Sequence, residues 1–230
     1  MRKNNLTRKG IISVLLILIL TAYSLSSCSL GFGTTISKMD DSINKKYQDI
    51  LKELDNDVLS AIHNNDSRGF NDLISHELRN TGINIESFTA EMGEILKDQE
   101  LSYLKRYHSK LRKIGNHGFT IMSPSEDEMF VARISGVGNE VLVSFRKTMT
   151  GVVDYALNTI YIKEKGEWKI GSIHLCAYSV QDKSALELYG EAKTLIEQGY
   201  TLPAFFMYIL WNQVSALGDN FQYKNIVEMR

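Results

Sequence analysis

The sequence predicts an α+β protein in which N-terminal helices pack on a curved antiparallel sheet and a helical hairpin follows at the C-terminus. Three observations carry that expectation. Apolar residues recur at three- and four-residue steps over residues 43–96, the helical period. From Gly118 the period falls to two, the strand period. The connections between these strands are of hairpin length, which leaves no room for the crossover helices of a parallel sheet. A chain of 230 residues, 43% hydrophobic, can bury a sizeable core, and two prolines exclude collagen-like and low-complexity architectures.

The first helix is read from Ile43, Tyr47, Ile50, Leu51, Leu54, Val58, Leu59 and Ile62, and it stops at the turn-forming Asn64-Asn65-Asp66. A short second helix, Ser67 to Leu73, points Phe70 and Leu73 inward. Ser87 is expected to cap a third, whose apolar stripe is Phe88, Met92, Ile95 and Leu96. Strands are expected at 119–122, 129–134, 141–148, 152–163 and 168–178, with a turn at Gly136 and Gly138 and a tight connection at Lys165-Gly166-Glu167. Alternation places Trp168, Ile170, His174 and Cys176 on one face of the last strand, with Trp168 buried. Beyond it, Ala185, Leu188, Tyr189, Ala192, Leu195 and Ile196 form a helical stripe closed by Gly199. Pro203 lies in the first turn of a last helix, where its missing N–H costs nothing. Ala204 to Trp211 is apolar throughout, so this helix either packs on the sheet or presents a docking surface.

The N-terminus carries a different kind of signal. Arg2, Lys3, Arg8 and Lys9 precede the apolar run Ile11 to Leu20, which is too short to span hydrocarbon comfortably. Leu25-Ser26-Ser27-Cys28 then resembles the lipobox of bacterial lipoprotein signals. That resemblance implies that residues 1–27 are removed and that Cys28 is lipidated and becomes the mature N-terminus. Two or three acyl chains, each methylene contributing about 0.8 kcal/mol, anchor a protein to a membrane without a spanning helix. Ser29, where an aspartate would imply inner-membrane retention, points to the outer membrane of the cell envelope. Residues 28–35 are then a lipidated tether, 36–178 the α+β domain and 179–230 the helical extension. Cys176 is the only thiol left, which excludes an intramolecular disulfide. It is expected to be a small buried hydrophobe.

Helices followed by a meander, with the long strand and Gly166-Glu167-Trp168-Lys169-Ile170 hairpin, resemble the cystatin-like cone of the superfamily that includes nuclear transport factor two and ketosteroid isomerase. Val58 to Asp66, with Phe70 and Leu73, resembles that superfamily's first helix, turn and second helix. The resemblance implies a partly apolar pocket between sheet and helices, and relatives put such pockets to different uses.

Charge and motifs narrow the chemistry. Net charge is −1, and beyond the leader 22 basic side chains face 27 acidic ones, so there is no basic surface for nucleic acid. No phosphate loop, His-Glu-x-x-His helix or nucleophile elbow is present, and neither metal nor cofactor is expected. His63 sits at a helix end, His76 and His108 lie among charges and are expected to be solvated, and His117 lies in a turn. Asp40-Asp41 and Glu126-Asp127-Glu128 read as solvated acidic clusters. His174 and Asp154 are ionisable groups inside strand patterns, the two candidates for an acid–base pair in the cone. The sequence therefore points to a noncatalytic binding module whose partners are the membrane, through Cys28, and an envelope protein or small ligand. The alternative is an isomerase, hydratase or cyclase working in the cone pocket.

Overall fold

The computed structural model describes residues 35–111, 119–122, 130–134, 140–149, 151–218 and 221–223. The stretch read as a leader, Cys28, the expected turns at His117 and at Gly136 and Gly138, and the acidic cluster at 126–128 lie outside the described residues.

Strand β1 (Thr35–Met39) passes through a 3-10 turn into helix α1 (Lys45–His63), which Asn44 caps by accepting from Lys46 N. Helices α2 (Ser67–Leu73), α3 (His76–Arg79) and α4 (Ile85–Leu96) follow. Asn84, not Ser87, caps α4: its side chain accepts from Ser87 N, so the helix begins one turn earlier than expected. Next come β2 (Leu101–Leu111), β3 (Phe119–Met122), β4 (Phe130–Ile134), β5 (Glu140–Thr148), β6 (Val153–Glu164), β7 (Glu167–Val180) and β8 (Lys183–Ser184). Helices α5 (Ala185–Glu197) and α6 (Thr201–Val214) and a short strand β9 (Phe221–Tyr223) complete the chain.

Six strands form a curled antiparallel half-barrel in the order β1-β2-β5-β6-β7-β8, while β3, β4 and β9 form a small separate sheet. The protein is α+β, as expected. Both β1 and β2 escaped the sequence reading, because the tether was read as far as residue 35 with no element assigned to 36–39, and Leu101 to Leu111 carries four charged or histidine side chains among its eleven residues.

Two cores lie on opposite faces of the sheet. On one face α1, α2 and α4 bury Leu51, Val58, Ile62, Phe70, Met92 and Leu96 against Leu142, Leu157, Tyr161, Ile170 and Ile173. On the other, Leu188, Trp211, Val214 and Leu217 of the C-terminal segment meet Val141, Val143, Phe145, Ala156 and Ile160. Phe221 stacks on Phe145 with ring planes 5° apart, joining β9 to the same core. With both faces covered, β5 is buried along nearly its whole length and loses the in–out alternation of a one-sided sheet.

The expected facing of β7 is corrected by a bulge. Tyr161 pairs with Ile170 and Ile160 with Ser172, so Gly171 is an extra residue that reverses the alternation. Trp168 and Ile170 point toward α1, and Ile173 and Leu175 join them there. Cys176 instead packs with the C-terminal core, where His174 meets Gly218. Trp168 itself is half-buried, with the Lys163 ammonium 4.9 Å from its ring centroid.

Gly218 has φ +91°, and a Cβ there would lie 2.7 Å from Cγ of His174. Gly218→Ala is therefore expected to destabilise the fold by about 1–3 kcal/mol in urea titration. Gly190→Ala is the matched control, because Gly190 lies inside α5 with nothing within 4 Å of the added methyl. There the substitution should stabilise by ~0.5–1 kcal/mol.

Candidate functional site beneath the first helix

Helix α1 lays Tyr47, Leu51, Asp55, Val58 and Ile62 along one side, at steps of three and four residues, against the sheet. Asp55 is the exception in that apolar row, a carboxylate only 1% exposed. Transfer of an unpaired carboxylate into such a place is prohibitive, so it must be met by donors. Three strands supply them. Oδ2 accepts from Tyr103 Oη of β2 and Ser144 Oγ of β5, each at 2.8 Å. Oδ1 accepts from Tyr161 Oη of β6 at 2.7 Å. The buried Arg146 guanidinium of β5 stands 3.6 Å from Oδ1.

This geometry determines what the groups can do. Burial, followed by the negative charge of Asp55, pushes the Tyr161 phenol well above its ordinary value. Tyr103 is raised for the same two reasons. Both tyrosines therefore remain protonated and serve as donors to the carboxylate. Every hydroxyl in the cluster is aimed at Asp55, and the place where the cone pocket was expected is occupied by this side chain and its partners. The structure joins helix and sheet at that point with a buried network in which three hydroxyls donate to the carboxylate.

A second polar cluster lies two turns earlier along α1. Tyr47 stacks on His108, with ring centroids 3.8 Å apart. His108 Nε2 donates to Glu140 Oε1 at 2.9 Å, and the same carboxylate takes Lys110 Nζ at 3.0 Å and Lys163 Nζ at 2.5 Å. Contrary to expectation, His108 is buried, because β2 turns it toward α1 beneath the Tyr47 ring. Burial lowers the imidazole pKa despite the neighbouring carboxylate, so its contact with Glu140 is a hydrogen bond from neutral imidazole. Burial of Glu140 acts to raise its pKa, but hydrogen bonds from Lys163, Tyr47, His108 and Lys110 outweigh that and hold it well below the usual carboxylate range.

The two candidates from the sequence lie elsewhere and apart. Asp154 is buried at the start of β6 and accepts from Ser179 Oγ at 2.8 Å. His174 pairs in register with Asn158, four residues further along β6, roughly 13 Å at strand rise. Asn158 Nδ2 donates to the Leu217 carbonyl at 2.9 Å, tying the C-terminal segment to the sheet beside His174. Cys176 is half-buried, and desolvation pushes its thiol up to about 12, which leaves it protonated at neutral pH. His63 and His76 are exposed; His63 closes α1, and His76 opens α3 with its N–H on Glu164. No group of three or more potential metal ligands occurs among the described residues.

Asp55 was not singled out from the sequence. It stands at an apolar position of the helical repeat, four residues after Leu51 and three before Val58, and that misfit was the available sign.

No family model matches the chain, and no curated protein or solved structure matches it either.

Two measurements probe these clusters. Asp55→Ala leaves the buried Arg146 guanidinium without its counter-charge and strips three hydroxyls of their acceptor. The loss should be ~3–5 kcal/mol in the urea midpoint analysis, and a loss under about 1 kcal/mol would refute the network. Acid should also destabilise the fold. The depressed pKa of Glu140 contributes stability that is complete above its unfolded value near 4.5 and is lost as pH falls through the folded value. The lowered pKa of His108 has the same sign, removing stability as pH falls below its unfolded value of 6.5. The urea midpoint should thus decline from about pH 7 to about pH 3, and Glu140→Gln should flatten the part of that decline below about pH 4.5.

Proposed function

We propose that the protein is a lipid-anchored lipoprotein of the bacterial cell envelope, more precisely of its outer membrane where two membranes exist. Its α+β domain is a cone of the nuclear transport factor two and ketosteroid isomerase-like type that works as a noncatalytic binding module. The anchor reading rests on the order of basic leader, apolar run and Leu25-Ser26-Ser27-Cys28.

The noncatalytic reading rests on one observation, the occupied interior beneath α1. A cone enzyme needs a base and an oxyanion donor free to meet substrate. Here the buried carboxylate accepts from Tyr161, Ser144 and Tyr103, and both phenols are spent on it. Asp154 and His174, the other ionisable pair, are separated along β6 and do not converge. Binding is then a property of the exterior, where a membrane-held domain meets envelope components.

Metabolic labelling with a palmitate analogue tests the anchor. The full chain should incorporate label and lose its leader, whereas Cys28→Ala should do neither, because no other thiol lies near the processing site. Unchanged labelling and processing in Cys28→Ala would overturn the lipoprotein reading.

A further inference from the structure

Helix α6 is apolar on two sides. Its inner side, Met207, Trp211 and Val214, packs into the core shared with the sheet, and Ala204 on the same helix is buried. Its outer side repeats the helical step with Leu202, Phe205, Phe206 and Ile209, exposed by 65, 57, 54 and 39%. Ile196 at the end of α5 and Tyr200 in the connecting turn extend that exposed surface across the tip of the hairpin. From Thr201 to Val214 there is not one Asp, Glu, Lys or Arg. Scattered apolar side chains on a surface need no explanation, but a contiguous stripe of large ones is costly to leave in water and marks a surface that is covered in use.

We propose that this stripe seats in the interface of the lipid bilayer, so that the domain meets the membrane both through its N-terminal lipid and through the α5–α6 hairpin. The proposal rests on the lipid-anchor reading above. Cys28 and Thr35 are seven residues apart, so the extended chain between them spans no more than roughly 25 Å. Strand β1 and strand β7, on which α6 packs, are four strand spacings apart, roughly 19 Å. A lipid on Cys28 therefore keeps the domain close enough for α6 to reach the same membrane.

The chemistry of the stripe agrees with that occupant. Phe, Leu and Ile suit the boundary between headgroups and acyl chains, and Tyr suits its polar edge. The polar side that an isolated interfacial helix must carry is replaced here by the domain to which the inner side is fixed. A protein partner is selected by charge or hydrogen-bond pattern around an apolar centre, and this helix offers no charge to select with. Binding at a bilayer interface grows with the apolar area it buries, without a matching pattern of charges.

Photolabelling decides the matter. The full chain, purified after expression with its processing machinery, is reconstituted in phosphatidylethanolamine–phosphatidylglycerol vesicles containing a photoactivatable phosphatidylcholine. Lipid adducts are then mapped by mass spectrometry. Adducts should fall on residues 202–209, and Phe205→Ser with Phe206→Ser should lower them about tenfold through lost apolar insertion. The circular dichroism of that variant should match the parent, because both side chains are exposed. Absence of adducts on 202–209 overturns the inference. The acyl state of Cys28 is read from its own peptide in the same digest. An unacylated Cys28 with adducts on α6 overturns the anchor while supporting the docking; an acylated Cys28 without them does the reverse.

Discussion

A carboxylate cannot be left alone in a protein interior, and the placement of Asp55 makes that rule a constraint on the whole domain. Its acceptors are met by one side chain each from β2 and β6 and by two from β5. A strand slipped by one residue would turn its donor to the opposite face of the sheet. The docking of α1 and the registers of three strands are thus satisfied together or not at all. Apolar contacts around Leu51, Val58 and Ile62 provide most of the burial, but they tolerate sliding, whereas the hydroxyls around Asp55 do not. The Glu140 cluster repeats the device at the other end of the helix, where Tyr47 covers His108 and two lysines neutralise the carboxylate.

The second organising feature is that the sheet is covered on both faces. The extra residue at Gly171 makes this possible in β7, giving Trp168, Ile170, Ile173 and Leu175 to the helices of the N-terminal half and Cys176 to those of the C-terminal half. A Cβ on Gly171 would lie 2.8 Å from Ile162 Cγ2, so the bulge is placed where the chain approaches its neighbour closely. Among the described residues, most of the large apolar side chains left exposed lie on the α5–α6 hairpin, Ile196, Tyr200, Leu202, Phe205, Phe206, Tyr208 and Ile209.

Much of this was legible in the sequence. Repeats of three and four residues located α1, α4 and α5, and alternation located β5, β6 and β7. Strand β2 was hidden by its own chemistry. Lys105, Arg106, His108 and Lys110 read as solvated, because nothing local announces that Tyr47 and Glu140 wait across the fold. His174 was put on the wrong face by one uncounted residue, since period-two counting has no memory of a bulge.

Local pattern was enough to predict an α+β chain with an uncharged last helix, because hydrophobic periodicity is written within a few neighbouring residues. Which polar residues meet was settled by the folded chain alone. Asp55 and Tyr161 are separated by 106 positions, and Asp55 and Ser144 by 89. No local rule pairs residues so distant; strand register and the docking of one helix bring them together. The same holds for α6, whose uniform apolarity left open which side faces the core until Trp211 was buried and Phe206 was not.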